Sequence, residues 1–303
     1  MSERSCSAWR VLHNFCFWWA ILLLFLCLYS TIISTKILEN STTLQSGSQR
    51  KHIFILAGKS NMAGRGGVNN KTWDGFVPQE CHPNPSILRF NSGLTWEEAR
   101  EPLHFDIDSN KTCGIGPGMV FANKILRKNL AMATGEANNV IGLVPCAVGG
   151  TSLSEWSRGS KLYNAMITRA RAAMEVDDDD DYGESVLEAV LWFQGERDTI
   201  TQEEAESYKT RLEKFIQDFR RDLQSSNLPF FQVLLTSAQG PYMDTVREAQ
   251  AAIRLPNVIK VEAKGLPLEI DGLHLSSLAQ VHLGKMLADA FLKWRTSQRP
   301  SNL

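Results

Sequence analysis

The sequence predicts an α/β fold in three layers, a mainly parallel sheet with helices on both faces, preceded by one N-terminal transmembrane helix. Three observations carry this expectation. From Lys51 onward, short apolar runs rich in β-branched residues alternate with longer amphipathic stretches, the pattern of strands joined by crossover helices. Phe15 to Ile33 is a run of 19 residues without a charge, which at about 1.5 Å per residue nearly matches a hydrocarbon core of about 30 Å. Several apolar runs end in glycine-rich turns that carry a hydroxyl, an amide or an acid, where open α/β sheets gather their ligands.

In chain order, residues 1–14 read as a tail and 15–35 as a signal anchor, with a cleaved signal peptide as the alternative. The apolar run is longer than the usual signal core, and no small-x-small cleavage site follows it. Trp18, Trp19 and Tyr29 stand toward its ends, as interfacial aromatics do. Residues 36–50 are polar, rich in Ser and Thr and without periodicity, so they read as a stem. The folded domain is expected over 51–297. Its strands are predicted at His52–Leu56, Ile87–Phe90, Val140–Cys146, Val186–Phe193, Phe230–Thr236 and Val258–Val261. Helices are predicted at Met119–Leu130, Leu162–Met174, Glu203–Leu223, Tyr242–Ile253 and Ser276–Trp294. In the third of these, Tyr208, Leu212, Phe215, Ile216, Phe219 and Leu223 recur at three- and four-residue steps, the spacing of one buried face. The five aspartates Asp177–Asp181 lack the interleaved Gly and Glu of a calcium loop and read as a solvated turn.

A formal net charge of −1 at pH 7 gives no electrostatic footprint for nucleic acid, so a polyanion-binding role is not expected. The six cysteines have neither zinc-site spacing nor the density of a disulfide scaffold, and no metal or cofactor is expected. Cys146 ends a buried run and reads as inert core, whereas Cys81 and Cys113 lie on loops where an oxidising lumen would let them pair. Asn40, Asn70 and Asn110 each meet the N-x-[ST] rule, which is usable only in the lumen and is consistent with a cytoplasmic N-terminus. The expected location is the secretory pathway, as a single-pass membrane protein with its domain on the lumenal or extracellular side. Secretion after cleavage is the alternative.

Chemistry is expected at the ends of the strands. The first ends in Gly58-Lys59-Ser60-Asn61, where a serine on a glycine-rich turn exposes a hydroxyl among backbone N–H groups. The third ends in Val148-Gly149-Gly150-Thr151, a second close backbone approach, and the fourth in Gln194-Gly195-Glu196, which brings a side-chain amide to the same rim. Near the C-terminus Asp271 and His274 supply an acid and an imidazole three residues apart. A serine hydroxyl needs a base, the base needs an orienting group, and the tetrahedral anion needs donors.

The segments IFILAGKSNMAGRGGV, PCAVGGTSLSEW, LWFQGERD and DGLHLSS, in this order, resemble the plant-type carbohydrate esterase family 6 domain, also called the sialate-O-acetylesterase-like domain, of the SGNH-hydrolase superfamily. The resemblance spans about residues 51–295. It implies a flavodoxin-like α/β/α fold and metal-free removal of acetyl groups from carbohydrate. It also implies Ser60 as nucleophile, His274 as base and then acid, and Asp271 as the group orienting the imidazole. The oxyanion donors implied are the Ser60 N–H, the Gly150 N–H and the Gln194 amide. Asn61, Glu196 and Trp156 are candidates for substrate binding or support, Glu196 by orienting loops at the rim or by forming a salt bridge, and Trp156 by stacking on a sugar or packing in the core. Departures from the family pattern are Lys59 for the usual Gln, and Phe193 and Arg197 for Tyr and Ser. Lys59 is expected either within several ångströms of His274 or turned to solvent. Alternatives to an acetylesterase are a polysaccharide O-acetyltransferase and a catalytically weakened glycan-binding protein.

Overall fold

The computed structural model describes residues 27–31, 33–34, 49–128, 139–175 and 182–298. The chain divides into two units, Met1–Gly47 and Ser48–Leu303. In the first, residues 27–31, 33 and 34 are helical. The rest of the anchor expected over 15–35 lies outside the described residues, as do residues 1–14, residues 36–48 of the stem, Asn40 and the aspartate run. No helix among the described residues is long and apolar enough to cross a membrane.

The second unit is built on one seven-stranded sheet. Its strands are β1 (Gln49–Gly58), β4 (Ile87–Phe90), β5 (Trp96–Glu98), β6 (Asn139–Pro145), β7 (Tyr182–Phe193), β8 (Phe230–Leu234) and β9 (Val258–Glu262), in the order β5-β4-β6-β1-β7-β8-β9. All neighbours are parallel except β5, which pairs antiparallel with β4 at the edge. With the β4–β5 pair set aside, the order reduces to the flavodoxin-like 2-1-3-4-5. The switch point, where ligands gather in such sheets, then falls between β1 and β7. β1 lies at the centre because Ile53–Ala57 is an unbroken apolar run, wholly buried as a strand covered on both faces requires. It starts at Gln49, three residues before the expected His52, and Arg50 already pairs with Asn139.

The longer helices are α2 (Gly118–Arg127), α3 (Lys161–Glu175), α4 (Gln202–Asp222), α5 (Met243–Ala251) and α6 (Ser277–Ser297). Consecutive residues of a strand point to opposite faces, and β8 shows the consequence directly. Phe230 meets Phe215 of α4, while Phe231 meets Phe291 of α6. The α6 face continues through Phe291, Phe121 of α2 and Phe54 of β1, with ring centroids 4.9–6.1 Å apart. Thr201 caps α4 by accepting from the Glu204 N–H at 3.3 Å, and Ser276 caps α6 by accepting from the Ala279 N–H at 3.3 Å. The expected strands and helices are all present. The two-residue strands β2 (Val68–Asn69) and β3 (Thr72–Trp73), the three-residue β5 and a four-residue helix α1 (Ser60–Ala63) were not anticipated, because none is long enough to show a period.

Cys81, Cys113 and Cys146 are all free and buried, so the pairing considered for Cys81 and Cys113 is not formed. Cys113 instead receives a hydrogen bond from Arg65 Nη1 at 3.4 Å, and Cys81 packs in the apolar core. Burial pushes the Cys146 thiol up to about 11, in keeping with an inert core residue.

Candidate active site

The end of β1 is pressed against β7: a methyl group on Gly58 would sit 2.2 Å from the Phe193 carbonyl oxygen, and Gly58 has a φ of +123°. Only glycine allows this approach and this backbone. The Lys59 N–H then donates to Phe193 O at 2.8 Å, and the chain turns into α1 with Ser60 first. Ser60 Oγ lies 2.9 Å from His274 Nε2, and His274 Nδ1 lies 2.6 Å from Asp271 Oδ2. An Nδ1–H donated to the carboxylate leaves the Nε2 lone pair facing the hydroxyl, the tautomer a general base needs.

The turn holding the imidazole is built by Asp271 itself. Its Oδ1 accepts from the Leu273 and His274 N–H groups at 2.9 Å each, while its Oδ2 takes the ring. Partial burial raises the carboxyl's pKa, but these three donors outweigh burial and hold it below the usual aspartate value. Asn61 brackets His274 from both sides. It accepts from the Leu275 N–H at 2.9 Å and donates to Leu273 O at 3.4 Å and to Glu196 Oε1 at 2.8 Å. The Ser237 hydroxyl also donates to Leu273 O, at 2.6 Å. Asn61 and Glu196 are thus support groups, both fully buried, and Glu196 lies beneath the site instead of at its rim. His104 has no part in this row: burial drives its pKa down to about 3, and its ring meets Leu56 O at 3.4 Å.

Lys59 is not turned to solvent, the second of its two expected positions. It is 1 % exposed, its Nζ donates to Gln239 Oε1 at 3.0 Å and it stands 4.0 Å from Glu196 Oε2. Burial lowers its pKa and the Glu196 charge opposes that shift. The ammonium therefore lies under the nucleophile turn, tied to a carboxylate.

The loop after β6 brings Gly149 and Gly150 to Ser60. A methyl group on Gly149 would stand 3.5 Å from Ser60 Cβ, while Gly150, with a φ of +85°, faces open space. Among the described residues neither the Ser60 N–H nor the Gly150 N–H has an acceptor, so both are available to an anion. One expectation is corrected here, for Gln194, and of the two readings of Trp156 the core one holds. The Gln194 side chain is fully buried, and both of its amide hydrogens are engaged, with Asp198 Oδ2 at 2.5 Å and Thr151 O at 3.3 Å. It supports the loop from below and offers no donor to an anion. Trp156 is 0 % exposed, packs edge-on against Trp192 at 5.2 Å and donates to Thr151 Oγ1 at 3.2 Å. An indole with no accessible face cannot stack on a sugar, so its part is support.

Two further residues escaped the sequence reading. Arg65 and Asp108 form a buried ion pair, and Asp108 Oδ2 also accepts from the Gly149 N–H at 3.0 Å. Arg65 stands inside the first glycine-rich segment, a weak signal; Asp108 lies in a stretch without periodicity and carried none.

A hydroxyl, an imidazole and a carboxylate stand in one hydrogen-bonded row at the carboxyl edge of a parallel sheet, beside two N–H groups that have no acceptor among the described residues, an arrangement of the kind α/β serine hydrolases use. Residues 50–293 match the family of carbohydrate esterases described as sialic acid-specific acetylesterases, and the chain belongs to it. It is 49% identical over 260 residues to a probable carbohydrate esterase of Arabidopsis thaliana, covering 84% of this chain and 95% of that one. The crystal structure of that Arabidopsis protein superposes with a TM-score of 0.73 at 48% identity, covering 80% of this chain and 98% of that one. NanS, at 18% identity and a TM-score of 0.64 over 83% of this chain and 99% of that one, shares the fold. A carbohydrate acetylesterase from Xanthomonas citri does so too, at 21% identity and a TM-score of 0.55 over 81% and 57%.

Proposed function

We propose that this protein is a carbohydrate O-acetylesterase that removes acetyl groups from a polysaccharide or glycan through an acyl-enzyme. The observation carrying this reading is the Ser60–His274–Asp271 row, with spacings of 2.9 and 2.6 Å, in a chain of the acetylesterase family. In the first half-reaction Ser60 Oγ attacks the acetyl carbonyl carbon and its proton passes to His274 Nε2. The oxyanion is received by the Ser60 and Gly150 N–H groups. As the C–O bond to the sugar breaks, the sugar oxygen takes the proton from His274, leaving acetyl-Ser60. A water then gives a proton to Nε2 and its oxygen attacks the acetyl carbon; release of acetate returns the proton to Ser60. Asp271 stays ionised and stabilises the imidazolium in both halves.

The domain is proposed to stand on the lumenal or extracellular side of a membrane, held by an uncleaved helix over residues 15–35, with secretion after cleavage as the alternative. The charge-free run and the acceptor motifs support this. Of the latter, Asn70 and Asn110 are exposed on turns, open to glycosylation.

The test is Ser60→Ala. Its Oγ bonds only His274 among the described residues, so the variant should fold as the wild type does while acetate release falls by several orders of magnitude. Acetate release at the wild-type rate by a folded Ser60→Ala protein would overturn the assignment.

A further inference from the structure

We propose that the Arg65–Asp108 ion pair positions the oxyanion site, holding the Gly149–Gly150 peptide against the nucleophile. The inference rests on the reading of Ser60 as nucleophile and Gly150 N–H as an oxyanion donor. Arg65 is fixed at both forks. Nη1 donates to Gly64 O at 2.8 Å, at the end of the helix that Ser60 begins, and to Cys113 Sγ at 3.4 Å, while Nη2 donates to Asp108 Oδ2. The same Asp108 oxygen accepts the Gly149 N–H at 3.0 Å. One guanidinium and one carboxylate therefore join the nucleophile turn to the loop after β6.

The joint is tight. A methyl group on Gly149 would lie 2.6 Å from Arg65 Nη2, 3.0 Å from Asp108 Oδ2 and 3.5 Å from Ser60 Cβ, so the loop lies against the pair with no room for a side chain between them. It is also dry, with side-chain exposures of 6% for Arg65 and 2% for Asp108. Water cannot replace either partner, and the geometry of Gly150 depends on both. Gly150 has a φ of +85° in an exposed position, and a methyl group there would meet nothing within 4 Å. The Gly149 anchor fixes the peptide before it and the Gln194 and Trp156 bonds to Thr151 fix the residue after it, so losing the anchor frees one of the two ends that aim the Gly150 N–H. A donor fixed before reaction stabilises developing charge without reorganisation, and losing one typically costs about 10²–10³-fold in kcat.

The experiment compares wild type with Asp108→Asn and Arg65→Lys in the full-length chain. It measures kcat and KM on an acetyl ester, and inhibition by methylboronic acid, which forms a tetrahedral adduct with a serine hydroxyl, and by acetate. Asp108→Asn removes the negative charge and leaves one neutral carbonyl oxygen to serve both donors; Arg65→Lys keeps the charge without the fork and is the milder change. Both variants should lose kcat by about 10–10²-fold, with KM within about twofold. Methylboronic acid affinity should fall by a similar factor while acetate inhibition stays level. The downfield Nδ1–H resonance of His274 should persist, showing the rest of the row intact. Wild-type kcat and boronate affinity in either folded variant would overturn the proposal, and so would parallel losses for boronate and acetate. A wild-type protein that neither cleaves the ester nor binds the boronate would refute the esterase reading itself, a separate result.

Discussion

Replacing Lys59 by Met removes a buried cation that stands 4.0 Å from Glu196 Oε2, in a place where both side chains are at most 1% exposed. At that separation, with the effective dielectric that describes protein sites best, the attraction amounts to about 4 kcal/mol. Removing one partner of a buried pair leaves the other charge uncompensated, which typically costs about 3–5 kcal/mol, whereas replacing both by neutral groups of similar size is often neutral. Methionine no longer has to be desolvated as an ammonium, which makes the Coulomb figure an upper bound. Lys59→Met should therefore lose about 3–4 kcal/mol of stability, and the double variant Lys59→Met/Glu196→Gln should recover most of it. Urea unfolding followed by tryptophan fluorescence at pH 7 reads this directly. A Lys59→Met protein as stable as wild type, or a double variant no more stable than Lys59→Met, would refute the reasoning.

Asp198 accepts from the Leu153 N–H at 2.8 Å and from Gln194, and burial pushes its pKa up to about 6. The folded state therefore holds a proton that the unfolded chain has released between about pH 4 and pH 6, so this group's contribution to stability falls as pH rises through that window. Asp198→Asn should be less steep there in urea unfolding; a slope equal to wild type would count against it. Trp156→Ala should cost about 3–5 kcal/mol in stability and lower the melting temperature, with no selective rise in KM, because the indole supports Thr151 from inside the core. A large KM effect at unchanged stability would restore a sugar-stacking role. Finally, full-length protein should partition into the membrane fraction and need detergent for release. Soluble mature protein with an N-terminus near Thr31 would show a cleaved leader.

Ser60, Gly150, Asp271 and His274 were legible because each stands where its chemistry is local. Ser60 and Gly150 follow apolar runs on glycine turns, and Asp271 builds the turn that carries His274 with its own side chain. The long helices and buried strands were legible for the same reason, since burial imposes a period that a dozen residues suffice to show. What lies beneath the site was not. Glu196 is 135 positions from Asn61, Lys59 is 180 from Gln239 and Asp108 is 43 from Arg65, and nothing in the flanking residues marks these as partners. Gln194 shows the difference most plainly. Its place at the end of β7 was correct, but whether its amide faces an anion or Asp198 depends on a rotamer set by packing, so only the folded chain could decide it. The sequence by itself determined the long elements, their order and the candidate groups at the strand ends, because those follow from local periodicity and turn chemistry. The tertiary structure alone decided which buried charges neutralise one another and which N–H groups stay free, because such pairings compare energies across distant segments brought together only by the core.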